Sequence, residues 1–129
     1  MKPSSAKAKG RKFQQYVRDK ILATFPHLEP DDVRSTSMGA GGEDILLSPA
    51  ARKAFGFSVE CKSLARSAVY SLFEQAEENA GPHIPLLMLK ANRKEPLTIL
   101  RLDDFMELVG ANDNSRSRSR TKNRKRPAR

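Results

Sequence analysis

The run Gly39-Ala-Gly-Gly-Glu43-Asp44-Ile45-Leu-Leu47-Ser48-Pro49-Ala-Ala-Arg-Lys-Ala-Phe55-Gly-Phe-Ser-Val59-Glu60-Cys61-Lys62-Ser63 decides the fold. Glycines lead into Asp44. A short apolar run, Ile45 to Leu47, follows and breaks at Ser48-Pro49. A second apolar run, Phe55 to Val59, ends in Glu60-Cys61-Lys62. Two short apolar segments separated by turn residues predict a β-hairpin, with one helical turn at its tip over Ala50 to Lys53. Side chains alternate along a strand, so Glu60 and Lys62 share a face and Cys61 takes the other. With Asp44 opening the facing strand, two carboxylates and an ammonium meet at one end of the hairpin. Paired carboxylates suit a hard divalent cation. A lysine beside them can hold a water and offset developing negative charge.

Working outward, the N-terminal side reads as a helix from Lys9. Phe13, Tyr16, Val17, Ile21 and Phe25 recur at three- and four-residue steps, and Pro26 stops the pattern. Gln14 and Gln15 either lie on the surface of this helix or serve the site. Val33 to Ser37 predicts a short strand before the glycines. These glycines have no following lysine at P-loop spacing, which excludes a nucleotide-binding loop of that type. On the C-terminal side, Val69, Leu72, Phe73 and Ala76 mark a second amphipathic helix, with Ser67 at its start and Gly81 at its end. Gln75 on this helix is either a surface residue or reaches the hairpin end. Ile84 to Leu89 and Leu97 to Leu100 read as strands joined by a polar turn. Asp104 to Glu107 has capping-box spacing and opens a last helix that Gly110 ends. The expected order is α, β, β, β, α, β, β, α, a small α/β domain.

The chain has 129 residues, 24 basic and 15 acidic, for a net charge of +9. The charge is uneven. Residues 111–129 carry eight basic residues and one acid, and residues 1–12 carry five basic residues and no acid. The intervening body is slightly acidic. This pattern predicts a polyanionic partner held by basic arms. It divides the chain into a flexible arm (1–8), a folded domain (9–110) and a disordered basic tail (111–129). Cys61 is the sole cysteine, so no internal disulfide forms and a reducing, cytoplasmic setting is expected. No apolar run is long enough to span a bilayer, so no membrane partner is expected. Cys61 is expected to be a buried strand residue rather than a nucleophile.

These residues together resemble the PD-(D/E)xK nuclease superfamily, with its restriction-endonuclease-like αβββαβ core and mixed central sheet flanked by helices. Within it, the chain most resembles archaeal-type Holliday-junction resolvases and the small bacteriophage endonucleases akin to them. The resemblance covers about residues 9–109. It rests on Lys9-Gly10, Arg34-Ser35-Thr36-Ser37, Glu43-Asp44-Ile45 and Val59-Glu60-Cys61-Lys62 in order, with Gln75 on the following helix. The resemblance implies a Mg²⁺-dependent DNA endonuclease, with Mn²⁺ able to substitute. It implies Asp44, Glu60 and the Cys61 carbonyl as metal ligands, and Lys62 as the water-positioning catalytic residue. Ser37 aligns with a serine near the scissile phosphate, and Gln14 stands where resolvases carry a glutamate. The family's proline is absent, since Glu43 precedes Asp44. Branched or junction DNA, a homodimer and a role in DNA recombination are the implied context. Lys9, Arg11, Lys12, Arg34, Arg66 and Arg93 are the candidate phosphate contacts. Two other readings share these residues: a less selective nicking or repair endonuclease, and a non-catalytic nucleic-acid-binding module on the same fold.

Overall fold

The computed structural model describes residues 3–36 and 42–122. Among them are four α-helices and two small antiparallel two-stranded sheets, a mixed α/β architecture. They form two compact units, one built from residues up to Ser63 and from Leu108 onward, the other from Leu64–Glu107. No helix among the described residues is long and apolar enough to cross a membrane.

In the first unit, helix α1 spans Pro3–Thr24. It therefore includes residues 3–8, which were expected to form a flexible arm. Its buried stripe is Gln14, Val17 and Ile21, and the chain continues into buried Phe25 and Leu28. At about 100° per residue, Val17, Ile21 and Phe25 fall in line with Gln14, while Tyr16 falls on the far side. Tyr16 is accordingly 49% exposed, stacked on Phe13 at 6.5 Å and capped by the Lys20 ammonium at 5.3 Å. The expected apolar face is thus rotated toward Gln14.

A 3-10 turn at Pro30–Asp32 leads into β1, Val33–Ser35. Strand β1 pairs antiparallel with β2, Ile45–Leu47, in the register Val33↔Leu47, Arg34↔Leu46 and Ser35↔Ile45. Val33 and Ile45 are fully buried, and α1 packs over β1. Helix α2, Pro49–Ala54, is capped by Ser48, whose hydroxyl oxygen accepts the Ala51 N–H at 3.1 Å. Pro49 occupies the first turn, where its missing N–H costs nothing. Ala51 and Phe55 close the core, with the Phe55 ring 6.1 Å from Phe25. Each such apolar side chain contributes about 1.5–3 kcal/mol when fully buried.

The expected hairpin between β2 and Phe55–Val59 is not the pairing found. Residues 55–64 form no strand. Strand β2 pairs with β1, its neighbour in chain order, and the Asp44 N–H to Val59 carbonyl bond, 3.0 Å, links the segment to the start of β2. Helix α2 fills the expected helical tip over residues 50–53, and Phe55, at its C-terminal end, enters the core from the helix end rather than from a ladder.

In the second unit, α3 spans Val69–Ala80 and ends at Gly81, whose positive φ of 58° suits glycine, though its ψ of −127° lies outside the left-handed helical well. Ser67 lies just outside the helix, and its hydroxyl oxygen accepts the Val69 N–H at 3.3 Å. Strands β3, Leu87–Leu89, and β4, Leu97–Ile99, pair antiparallel with Met88 opposite Thr98. Phe73, under the Arg101 guanidinium, and Met106 are buried in this unit. Arg101 also pairs with Glu77.

Helix α4 spans Leu102–Lys122. It starts before the expected capping box and does not stop at Gly110. A mid-helix glycine is costly but not terminating. Gly110 has a packing reason to be there: a Cβ at this position would lie 3.0 Å from Thr24 Cγ2. The backbone of residues 111–122 is therefore helical, where disorder was expected.

Candidate functional site

Asp44 stands at the entry to β2, and its backbone is held on both sides. Its carbonyl accepts the Thr36 N–H at 3.0 Å and the Thr36 hydroxyl at 3.2 Å. Its own N–H donates to Val59. The carboxylate is held too: Oδ2 accepts the Cys61 N–H at 2.6 Å. A hydrogen bond to an ionised acceptor is short and strong. The segment bearing Glu60-Cys61-Lys62 is thereby tied to Asp44 twice, once through main chain and once through the aspartate side chain.

This contact brings Asp44, Glu60, Cys61 and Lys62 to one corner of the first unit. Glu60 and Lys62 pair with each other, Lys62 Nζ lying 3.8 Å from Glu60 Oε2, although the segment forms no strand. Their side chains are 69% and 71% exposed, so the pair adds little to stability and both groups are accessible to a ligand. Cys61 is half-buried and outside any strand. Burial, with the charges of Asp44 and Glu60 adding to it, pushes its thiol above the ordinary value. That thiol stays protonated at neutral pH, which argues against a nucleophilic role.

The other candidates fall elsewhere. Gln14 is buried in α1, 4% exposed; it is a core-facing residue rather than a surface glutamine. Ser37 lies outside the described residues. Gln75 is exposed on α3 and belongs to the second unit, as do exposed Arg66 and Arg93. Arg93 sits in the β3–β4 turn with a φ of 63°. Lys9, Arg11 and Lys12 are exposed on α1, and Arg34 is exposed on β1. Among the described residues, no group of three or more His, Cys, Asp or Glu side chains is gathered as a ready metal cage.

Two supporting features were not foreseen in the sequence. Asp32 accepts the Ser48 hydroxyl at 2.6 Å and the Glu29 N–H at 2.7 Å, and these two bonds hold its carboxyl below the ordinary value. The bond joins the start of β1 to the cap of α2. Arg52, on α2, pairs with Glu43 at 2.8 Å and donates to the Phe57 carbonyl at 3.0 Å. Its partners lie nine and five residues away, at no spacing that a sequence pattern would mark. Glu43 is held below its ordinary value by Arg52 first and by Ser58 next.

No protein-family model, curated protein or solved structure matches this chain.

Proposed function

We propose that this chain is a metal-dependent DNA endonuclease of the Holliday-junction-resolvase kind, hydrolysing phosphodiester bonds at the Asp44, Glu60 and Lys62 corner. In this reading residues 55–62, which form no strand here, take the place of the third strand of a restriction-endonuclease-like αβββαβ core. The observation that carries the proposal is the 2.6 Å bond from the Cys61 N–H to the Asp44 carboxylate. It ties the Glu43-Asp44-Ile45 motif to the Glu60-Cys61-Lys62 motif, 17 residues on, and this convergence supports the reading.

The donor set fits Mg²⁺. Asp44 and Glu60 offer hard carboxylate oxygens, and the Cys61 carbonyl offers a third oxygen. Mg²⁺ is commonly held by one or two carboxylates while keeping several waters. When bound, the ion would polarise the scissile phosphate and lower the pKa of a water. Asp44 is fixed for this task by Thr36, Val59 and Cys61. Glu60 is exposed and can turn toward the same point. Lys62, beside it, would orient the attacking water and offset charge gathering on the phosphoryl oxygens. Mn²⁺ should substitute for Mg²⁺.

The DNA grip falls to the basic residues. Lys9, Arg11 and Lys12 on α1, Arg34 on β1, Arg66 and Arg93, and the eight basic residues after Gly110 are the phosphate contacts in this account. A homodimer acting on branched DNA in the cytoplasm completes the proposal.

The test is a cleavage assay on a four-way junction, a flap, a duplex and a single strand, with Mg²⁺ or with EDTA. Cleavage that needs the metal and favours the junction is expected. Equal cleavage of all four would point to a less selective nicking enzyme. DNA binding with no cleavage of any would point to a non-catalytic module.

A further inference from the structure

We propose that Arg52 is a positioning residue: through Glu43 and the Phe57 carbonyl it sets the separation between Asp44 and the Glu60-Cys61-Lys62 segment. The consequence for cleavage rests on the nuclease reading above, whereas the structural claim does not.

The argument starts from where the two segments are anchored. Glu43 immediately precedes Asp44, and Phe57 lies three residues before Glu60. Residues 55–64 form no strand, so the spacing between them is not set by a continuous ladder. Arg52 spans the gap. One guanidinium nitrogen, Nη2, donates to Glu43 Oε1 at 2.8 Å, and another, Nη1, donates to the Phe57 carbonyl at 3.0 Å. The guanidinium is a rigid planar fork, so two bonds from one group fix the distance between their acceptors.

The fork stands on a fixed base. Helix α2 is capped by Ser48, which is in turn bonded to Asp32 at the start of β1. Ala51, beside Arg52, is fully buried. Arg52 therefore transmits the position of the core to both segments. Glu43, which replaces the proline expected from the family pattern, has a defined role here as the acceptor that Arg52 reads. An exposed ion pair alone adds little to global stability. The effect of this one should be local, on the two segments it joins.

The experiment uses the full chain and the substitutions Arg52→Ala, Arg52→Lys, Glu43→Gln and the Arg52→Ala/Glu43→Gln double. The first readout needs neither metal nor DNA: amide hydrogen exchange at Asp44 and Cys61, whose N–H groups bond to Val59 and to the Asp44 carboxylate. Arg52→Ala should speed exchange at both by about tenfold, with the buried amides of Phe25 and Leu28, bonded to the Ile21 and Phe25 carbonyls, unchanged. Arg52→Lys keeps the charge but not the fork and should give an intermediate rate. The double variant should be little faster than Arg52→Ala, because that change already removes the Arg52 fork and a glutamine oxygen at position 43 can still accept from Ser58. The second readout is single-turnover cleavage of a four-way junction across a Mg²⁺ series. The half-saturating Mg²⁺ concentration should rise by about tenfold while DNA affinity holds, since positioning of ligands is lost and not charge toward DNA.

Unchanged exchange at Asp44 and Cys61 in Arg52→Ala would overturn the proposal. Equal acceleration at Phe25 and Leu28 would overturn it as well, because Arg52 would then be a general stabiliser. Should Arg52→Ala not fold, Arg52→Lys decides by the same local comparison. A wild-type chain that cleaves nothing but shows the local exchange effect refutes the nuclease reading and leaves the clamp standing.

Discussion

Replacing Gly110 by alanine should do almost nothing to stability, and that near-zero should be the sum of two opposed effects. Gly110 lies within α4, where alanine is favoured over glycine by about 0.8–1 kcal/mol. Against this, the new Cβ would meet Thr24 Cγ2 at 3.0 Å, below the 3.4–4 Å of ordinary contact. Thr24 cannot step aside freely. Its hydroxyl donates to the Lys20 carbonyl at 2.7 Å, and a rotation that clears the methyl gives up a bond with a net value of about 0.5–1.5 kcal/mol. The two effects should cancel to within about 0.5 kcal/mol. Thr24→Ser removes the methyl and keeps the hydroxyl. In that background Gly110→Ala should stabilise by nearly the full helix gain, about 0.8 kcal/mol. The assay is urea unfolding of the wild type, the two single variants and the double. A coupling of about 0.5–1 kcal/mol is expected for groups in contact. An equal gain from Gly110→Ala in both backgrounds would refute the reasoning, because Thr24 would then not be what keeps position 110 small.

Two further outcomes follow from buried and bonded side chains. Ser48→Ala should cost about 0.5–2 kcal/mol at neutral pH by removing the α2 cap. It should also flatten the acid limb of the stability curve: the Asp32 carboxyl lies below its ordinary 3.8, chiefly through Ser48, so its contribution is complete above 3.8 and lost as pH falls through the lower folded value. Urea unfolding of both proteins across an acid series checks this, and parallel curves would contradict it. Gln14→Glu places a carboxyl where 4% of the residue is exposed. It should destabilise by about 1–3 kcal/mol at neutral pH. The cost should shrink as pH falls through the raised folded pKa of the new carboxyl and protonates it. A loss independent of pH would show that shape, not charge, sets the choice of glutamine.

The helices were the most legible part of this chain, because their periodicity marks an amphipathic element even where it places the face only in part. Val17, Ile21 and Phe25 lie on the core side as expected and Phe73 does so for α3, while Tyr16 and Leu72 are exposed; Gly81 ends α3 with a positive φ. The pairing of β2 with β1 follows chain order and was legible. Phe55–Val59 has the apolar character of a strand but forms none; it meets β2 through the Asp44 N–H to Val59 bond instead of a ladder. Gly110 misled for a related reason: a glycine stops a helix or permits close packing, and only the approach of Thr24 distinguishes the two. At the site, Asp44, Glu60 and Lys62 stood out as charged residues at the ends of apolar runs. Arg52 did not, since its role exists only once α2 sets it between Glu43 and Phe57. Gln14 was visible only as a helical residue, because a buried glutamine and an exposed one have the same sequence signature.

The nuclease assignment is tested most directly by single-turnover cleavage of a four-way junction with Mg²⁺, comparing the wild type with Asp44→Asn, Glu60→Gln and Lys62→Ala. Asparagine at 44 can still accept the Cys61 N–H, so the fold of the corner is kept while a ligand charge is removed. Each substitution should lower the rate by at least about a thousandfold, the scale of losing a group that acts on the transition state. DNA affinity should stay within a few-fold, because the proposed phosphate contacts lie on other residues. Cleavage near the wild-type rate by any one of the three would contradict the account.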